Sequence, residues 1–243
     1  MTQILITGYK GFIGGYLWNY IQNYDSRIEL DGIDFPDDIG DFKTDKIYDV
    51  VIHLAAFAAL RDSIENPDKF WENNVVKSQP IFDYCRNNNV RLLYASSAGA
   101  HGWWQNPYAI TKKVNEIQAP PNSVGMRFFN VWAEEGSRKD MLYRMLQENT
   151  AGYITRHKRD YIHVHDIATA ILTLIPSDFT GSLDIGAGKS IPVMDIAKSM
   201  GRQLPIKENT PGEPDSLCAD IKELTDLGWH PTIDIMDVLH GQK

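Results

Sequence analysis

A glycine-rich turn near the start of the chain constrains its fold more than any other stretch. The apolar run at residues 4–6 is followed by Gly8, Gly11 and Gly14 and then by a helical pattern, which predicts strand, tight turn and helix. Glycine lets the backbone come close to a phosphate, and a helix N-terminus offers free N–H groups and a positive dipole end. The turn therefore suits the pyrophosphate of a dinucleotide.

A carboxylate ends the second predicted strand, at residues 28–34. Asp34 lies about 20 residues beyond the glycine turn, where an acid in a dinucleotide-binding fold hydrogen-bonds the adenosine ribose and repels the 2′-phosphate of NADP. This spacing indicates NAD as the cofactor. Lys10, inside the turn, is a cation that could accept that phosphate, so NADP stays open.

The segment after Asp34 is short. Residues 35–48 leave little room for a helix and a further strand before the apolar run at 49–56, so we expect a sheet trimmed at this edge. Asp38 and Ile39 in this segment either line the adenine pocket or belong to a surface turn.

Strand and helix patterns alternate through the next part of the chain. Strands are predicted at 49–56, 91–97 and 124–129, and helices at 66–89, with a kink at Pro80, and at 108–118. This alternation favours an α/β fold, a Rossmann-like doubly wound parallel sheet whose ligands bind at the carboxyl ends of the strands.

The character of the sequence changes after Asn130, where short helices and strands alternate with Pro/Gly turns. We therefore expect a dinucleotide-binding Rossmann domain at residues 1–130. Residues 131–243 are expected to form a smaller, interwoven substrate-binding part, with a segment near 165–186 returning to the Rossmann sheet.

The composition of the chain argues against some classes of binding partner. With 24 Lys+Arg against 32 Asp+Glu the net charge is -8, and no long basic run appears, so nucleic acid and anionic membranes are poor partners. No apolar run is long enough to span a membrane and no basic-then-apolar leader is present, so we expect a cytoplasmic protein. Cys85 and Cys218 lie in no Cys/His cluster, so no metal site is indicated.

Three side chains carry the chemistry that the sequence suggests. Tyr108 and Lys112 are four residues apart on a predicted helix and project from one face. A cation beside a phenol stabilises the phenolate, so Lys112 is expected to lower the pKa of Tyr108 and make it a usable base. Ser97, at the end of a neighbouring strand, can hydrogen-bond the same substrate oxygen.

These motifs, in this order, resemble the extended short-chain dehydrogenase/reductase family along almost the whole chain. More narrowly, the chain is similar to the NAD-dependent sugar-nucleotide epimerase/dehydratase group. The matching stretches are residues 53–56 (HLAA), 73–75 (NNV), 94–98 (YASSA), 107–108 (PY), 127–131 (RFFNV), 159–164 (RDYIHV) and 227–231 (LGWHP).

The resemblance implies a role for each matching residue. The cofactor NAD would be held by a set of backbone and side-chain groups: Gly8, Gly11, Phe12, Ile13, Gly14, Asp34, Asp38, Ile39, Leu54, Ala55, Ala56, Asn74, Tyr108 and Lys112. Catalysis would rest on Ser97, Tyr108 and Lys112. The substrate, a nucleotide sugar, would contact Ser97, Asn130, Arg159 and Tyr161.

The reaction implied is epimerisation of a hexose or uronic acid. Tyr108 would take a hydroxyl proton while hydride passes to NAD, and hydride would return to the other face of the keto sugar. The alternatives are an NAD(P)-dependent keto-sugar reductase or dehydratase and a catalytically silent NAD-binding sensor or scaffold. A homodimer through the helices at 66–89 and 108–118 is also implied.

The chain departs from the family pattern at two places. Ala98 and Gly99 follow Ser97, where dehydratases of the family carry an Asp-Glu pair that eliminates water. Residues 210–213 read TPGE, where epimerases carry Arg-x-Gly-Asp, so an arginine that would hold a phosphate is missing. Arg138 or Arg144 could replace it, and each could equally be a surface residue.

Overall fold

A computed structural model describes residues 1–24, 26–208, 210 and 212–241 of the chain. Pro211, in the stretch that departs from the family pattern, lies outside the described residues. The strands are β1 (Thr2–Thr7), β2 (Ile28–Ile33), β3 (Val50–His53), β4 (Arg91–Ser97), β5 (Ser123–Phe128), β6 (Asn130–Trp132), β7 (Lys158–His163), β8 (Gly181–Ile185) and β9 (Ser190–Pro192). The helices are α1 (Phe12–Tyr24), α2 (Leu60–Glu65), α3 (Pro67–Trp71), α4 (Gln79–Asn88), α5 (Pro107–Gln118), α6 (Leu142–Gln147), α7 (Val164–Leu174), α8 (Val193–Ser199), α9 (Lys222–Asp226) and α10 (Ile235–Leu239).

Six parallel strands form the main sheet in the order β2-β1-β3-β4-β5-β8, which confirms the Rossmann-like α/β prediction. The chain leaves β1 toward β2 on one side and then returns to place β3 on the other. Such a reversal opens a crevice at the carboxyl ends of the two strands, where α/β sheets bind ligands. The fold thus places the glycine turn at this crevice.

The edge of the sheet beside β2 is trimmed, as the short segment predicted. Among the described residues only a 3₁₀ turn, Ile39–Asp41, lies between β2 and β3. A six-stranded dinucleotide fold of order 3-2-1-4-5-6 carries one more strand on this side.

The helical stretch at 66–89 differs from the prediction of one helix kinked at Pro80. The structure has α3, a π-helical turn at Glu72–Val76 and then a separate helix, α4. Pro80 lies in the first turn of α4, where its missing N–H removes no intrahelical bond. The proline therefore begins a helix rather than bending one.

Apolar layers cover both faces of the sheet. Ile4 and Ile6 point to a core that α1 and α7 close, whereas Leu5 points to a core closed by α4. The strand β8, which lies within the segment 165–186, pairs with β5 at the end of the sheet.

A second, smaller sheet of order β6-β7-β9 lies in the C-terminal part, over its own apolar cluster around Trp132 and Tyr143. The division at residue 130 stays a prediction. No helix among the described residues is long and apolar enough to cross a membrane.

Asp166 ties the C-terminal segment to α7. Its side chain is fully buried and accepts from Thr232 N at 3.0 Å, Thr232 Oγ1 at 2.7 Å and Ile233 N at 3.0 Å. Asp166→Ala is expected to lower the free energy of unfolding by about 3 kcal/mol in urea denaturation, because three hydrogen bonds to a buried, charged acceptor are lost. The same change at the exposed Asp237 is expected to cost less than about 1 kcal/mol. Equal costs at the two positions would contradict this role.

Candidate active site

The glycine turn packs backbone against backbone at the crevice. Gly8 has φ of 75°, and a Cβ there would lie 2.7 Å from Ala55 N, while one at Gly14 would lie 2.1 Å from Gly8 O. The first bond of α1 runs from Gly15 N to Gly11 O at 2.7 Å. The N–H groups of residues 12–14 precede it and have no partner within the helix. The turn thus presents the donors that a pyrophosphate requires.

Asp34 is fixed beside this turn. Its carboxylate accepts from Lys10 N and from Phe35 N, each at 2.7 Å, and two acceptor oxygens leave room for ribose hydroxyls. The Lys10 ammonium donates to Phe35 O at 3.1 Å and lies 5.3 Å from the centre of the Tyr9 ring. The residues present fit the adenosine end of NAD, and the cation that could favour NADP lies next to them.

Asp38 and Ile39 are both engaged in the short segment between β2 and β3. Asp38 pairs with Lys77 and accepts from Gly40 N at 2.8 Å, and these two bonds hold the pKa of its carboxyl below the usual range. The side chain of Ile39 is buried. Their adenine contact stays a prediction.

A directed chain of hydrogen bonds runs behind the crevice from β1 to the π-helical turn. His53 Nδ1 lies 2.7 Å from Thr7 Oγ1, its Nε2 lies 2.9 Å from Ser78 Oγ, and Ser78 Oγ donates to Asn74 O at 2.9 Å. Burial lowers the pKa of His53 to about 3, so the ring is neutral. Because Ser78 donates onward, we assign the proton to Nε2, and Thr7 then donates to Nδ1.

Asn74 joins the loop after β3 to α5. Its side chain accepts from Phe57 N at 2.8 Å, donates to Phe57 O at 2.9 Å and lies 3.2 Å from Thr111 Oγ1. Asn115 Nδ2 donates to Asn74 O at 2.8 Å. Asn74 is buried, so its position supports the backbone that carries the candidate cofactor-binding residues Leu54, Ala55 and Ala56.

Ser97, Tyr108 and Lys112 come together at the carboxyl end of β4. Ser97 Oγ accepts from Gly99 N at 3.1 Å and lies near the Tyr108 hydroxyl. Tyr108 stands in the first turn of α5, where its N–H donates to Ser63 Oγ at 3.1 Å. Lys112, one turn later, is 2% exposed, and its Nζ donates to Ala95 O at 2.8 Å. The structure thus places the three predicted catalytic residues in one group.

The electrostatics of this group correct one expectation. Burial raises the pKa of Tyr108 above its ordinary value, although the Ser97 hydrogen bond and the Arg138 charge oppose the rise. The prediction that Lys112 lowers the pKa of Tyr108 is wrong for this state, because the loss of solvent outweighs the nearby charges and Lys112 Nζ donates to Ala95 O. Burial, followed by the charge of Arg138, lowers the pKa of Lys112 to about 7.

The charges of Arg138 and Asp140, on the loop between β6 and α6, shift the pKa of Tyr108. The sequence did not predict a role for this pair at Tyr108. Arg138 Nε donates to Asp140 Oδ1 at 3.0 Å, and the two charges shift the pKa of Tyr108 in opposite directions. Arg144, by contrast, donates to Glu148 Oε1 at 2.7 Å and to Ser137 O at 2.6 Å on α6. The available sequence signal was only that this loop follows strands whose carboxyl ends meet at the crevice.

The predicted substrate residues of the C-terminal part lie on β6 and β7. Asn130 Nδ2 donates to Asp160 O at 3.0 Å, and Arg159 Nη2 donates to His157 Nδ1 at 2.7 Å. Tyr161 is 4% exposed within the smaller core, and its hydroxyl has no hydrogen-bond partner in the part of the chain that the structure describes. The contacts of all three with substrate stay predictions.

Comparison with known proteins agrees with this geometry. Residues 4–186 match the family model described as NAD dependent epimerase/dehydratase family. The sequence is 23% identical to a UDP-glucose 4-epimerase from Pisum sativum over 99% of this chain and 94% of the relative.

Two solved structures share the fold along nearly the whole chain. One is TunA, titled an NAD dependent-NDP-hexosamine 5,6-dehydratase, with a TM-score of 0.86, 22% identity and coverage of 99% of this chain and 96% of that one. The other is UDP-glucuronic acid 4-epimerase from Bacillus cereus in complex with UDP-glucuronic acid and NAD. Its TM-score is 0.84, with 21% identity and coverage of 99% and 98%.

Two adjacent glycines test the cofactor turn. Gly14→Ala is expected to abolish co-purification of NAD, because the new Cβ would lie 2.1 Å from Gly8 O and must open the turn. Gly15→Ala is the matched control, since its nearest new contact is Tyr9 O at 3.6 Å. Native mass spectrometry measures the bound fraction. Wild-type NAD occupancy in Gly14→Ala would contradict the assignment.

The buried charge of Lys112 is expected to make the free energy of unfolding depend on pH. The pKa of Lys112 is about 7 in the folded protein and 10.5 ordinarily. Between these two pH values the unfolded chain therefore binds more protons than the folded protein, so the free energy of unfolding of the wild type rises with pH. Lys112→Met lacks this group. It is expected to exceed the wild type by about 2 kcal/mol at about pH 6, with the advantage shrinking toward pH 10 in urea denaturation. A difference that does not change with pH would refute the buried charge.

Proposed function

This chain belongs to the NAD dependent epimerase/dehydratase family and is an enzyme of the NAD-dependent type, and within that family we propose that it epimerises a nucleotide sugar. The observation that carries the proposal is the grouping of Ser97, Tyr108 and the buried Lys112 at the carboxyl end of β4. The charge of Lys112 also acts on His53, which is bonded to Thr7 just before the glycine turn. This proximity supports one shared site for the catalytic group and the cofactor turn.

The chain's own residues hold and move a proton. Ser97 would hydrogen-bond a sugar hydroxyl, and Tyr108, as phenolate, would take the proton of that hydroxyl. When bound, NAD supplies the hydride acceptor and donor and a positive charge on its nicotinamide ring. Lys112 Nζ lies 5.7 Å from the centre of the Tyr108 ring, and its pKa of about 7 lets it lose or regain a proton near neutral pH.

The residues after Ser97 favour epimerisation over dehydration. Ala98 and Ala100 are buried in the 3₁₀ turn that Ser97 caps, and Gly99 lies between them. Elimination of water needs an acid and a base close to the reacting carbons, and the two residues directly after Ser97, Ala98 and Gly99, supply neither. A nucleotide sugar as substrate is supported by the similar proteins, of which one is a UDP-glucose 4-epimerase and another was solved in complex with UDP-glucuronic acid and NAD.

Tyr108→Phe tests the proposed chemistry. It removes only the phenolic oxygen, so turnover of a UDP-hexose or UDP-uronic acid is expected to fall about 10²–10⁴-fold while NAD stays bound. Tyr16→Phe is the control, because the Tyr16 hydroxyl lies on α1 beside His165 at 3.2 Å. Epimer formation is followed by NMR together with the absorbance of NADH.

Three results would count against the proposal. Undiminished turnover in Tyr108→Phe would remove Tyr108 from the mechanism. Stoichiometric consumption of NADH or NADPH by the wild type would make it a reductase. Bound NAD without turnover of UDP-, GDP- or dTDP-sugars would favour a sensor or scaffold.

A further inference from the structure

The stretch that lacks the expected arginine contacts a histidine. Thr210 Oγ1 lies 3.1 Å from His157 Nε2, and His157 Nδ1 accepts from Arg159 Nη2 at 2.7 Å. The side chains of His157 and Arg159 are 8% and 10% exposed. A residue that can carry a positive charge therefore stands between position 210 and the arginine on β7.

We propose that His157 replaces the missing arginine and, with Arg159, binds the diphosphate of the nucleotide sugar. This inference rests on the proposed function, because it takes a nucleotide sugar as the substrate. It assigns to His157 a role in binding and not in the chemical step.

A carboxylate of the chain already lies among these bases. Glu213 Oε2 is 3.6 Å from Arg159 Nη2 and 3.7 Å from His157 Nδ1, while Glu213 Oε1 accepts from Arg61 Nη2 at 3.1 Å. Three basic side chains from two separate segments, residues 157–159 and α2, therefore converge around one carboxylate.

The cluster is connected to the catalytic helix on two sides. Asn106, which caps α5 two residues before Tyr108, donates from Nδ2 to Gly212 O at 3.1 Å. The helix α2, which carries Arg61, also carries Ser63, whose hydroxyl accepts from Tyr108 N at 3.1 Å. A sugar at Tyr108 and a diphosphate at His157 can therefore belong to one extended ligand.

Protonation of His157 changes the net charge of the cluster around it. Among the described residues, the charged groups facing it are Arg159 on its own strand and Glu213 and Asp215 on the loop, with Arg61 behind Glu213. The two arginines offset the two carboxylates, so this set is neutral until His157 gains a proton.

Protonation also changes the hydrogen bonding of Arg159. Protonated His157 can no longer accept from Arg159 Nη2, so both side chains turn donors toward an anion. Burial and the charge of Arg159 lower the pKa of His157 in the free protein, and a bound diphosphate opposes that shift. Binding should therefore take up a proton and tighten as pH falls.

Calorimetry with UDP-glucose, whose diphosphate keeps its charge across this range, tests the inference. For the NAD-loaded wild type we expect Kd to rise at least about fivefold from pH 6 to pH 8, with proton uptake seen by comparing two buffers. For His157→Gln we expect weaker binding at pH 6, less than about a twofold pH effect and no proton uptake. His230→Gln, an exposed histidine, is the control and should behave as wild type.

A second variant separates a binding role from a folding defect. Thr210→Arg combined with His157→Gln returns a cation to this place, so it is expected to restore affinity without restoring the pH dependence. NAD content and thermal melting report whether each variant is folded.

The outcomes discriminate between the two claims. UDP-glucose binding that is equal in wild type and His157→Gln at both pH values would overturn the role of His157 and leave the proposed function intact. Failure of the wild type to bind UDP-, GDP- or dTDP-glucose would overturn the proposed function and this inference with it.

Discussion

The close approach of backbone to backbone at the glycine turn is the constraint on which the site depends. Gly8 lies against Ala55 at the end of β3, and Gly14 lies against Gly8 itself, so a side chain at either position would separate the strand ends from α1. This approach brings the free N–H groups of the helix to the point where the strand order reverses. The contact between Gly8 and Ala55 also fixes the loop after β3. Asn74 connects this loop to the helix α5, which bears Tyr108 and Lys112.

Buried polar groups carry that support to the catalytic residues. A series of hydrogen bonds runs from Thr7 through His53 and Ser78 to Asn74, and each side chain donates to the next residue. The orientations of these side chains are therefore fixed. Asn74 and Asn115 then attach α5, which bears Tyr108 and Lys112. Lys112 is the costly member, because a buried ammonium is less favourable than an exposed one. Burying the Lys112 ammonium beside the Tyr108 ring therefore lowers the stability of the folded protein.

Local patterns in the sequence predicted the sheet and the proximity of Ser97, Tyr108 and Lys112. The glycines at residues 8–14, the strand that ends at Asp34 and the pair Tyr108 and Lys112 each carry a short-range signature. The short segment 35–48 even indicated the trimmed edge, because too few residues were present for another strand. The break before α4 was missed because a π-helical turn keeps a helical periodicity.

What the sequence could not provide are contacts between distant segments. The direction of the pKa shift at Tyr108 depends on burial, and the partner of Thr210 depends on how a loop meets β7. His157 and Thr210 are 53 residues apart, so no spacing rule connects them. Arg138, on the loop between β6 and α6, is likewise distant in sequence from Tyr108 and Lys112, yet its charge shifts the pKa of both.

The central claim is that one site removes a hydride and returns it to the same sugar. It is tested most directly with a nucleotide sugar that carries deuterium on the carbon that inverts. The account predicts that the product epimer keeps the deuterium and that no free NADH accumulates. Loss of the deuterium to solvent, or its recovery in released NADH, would contradict it.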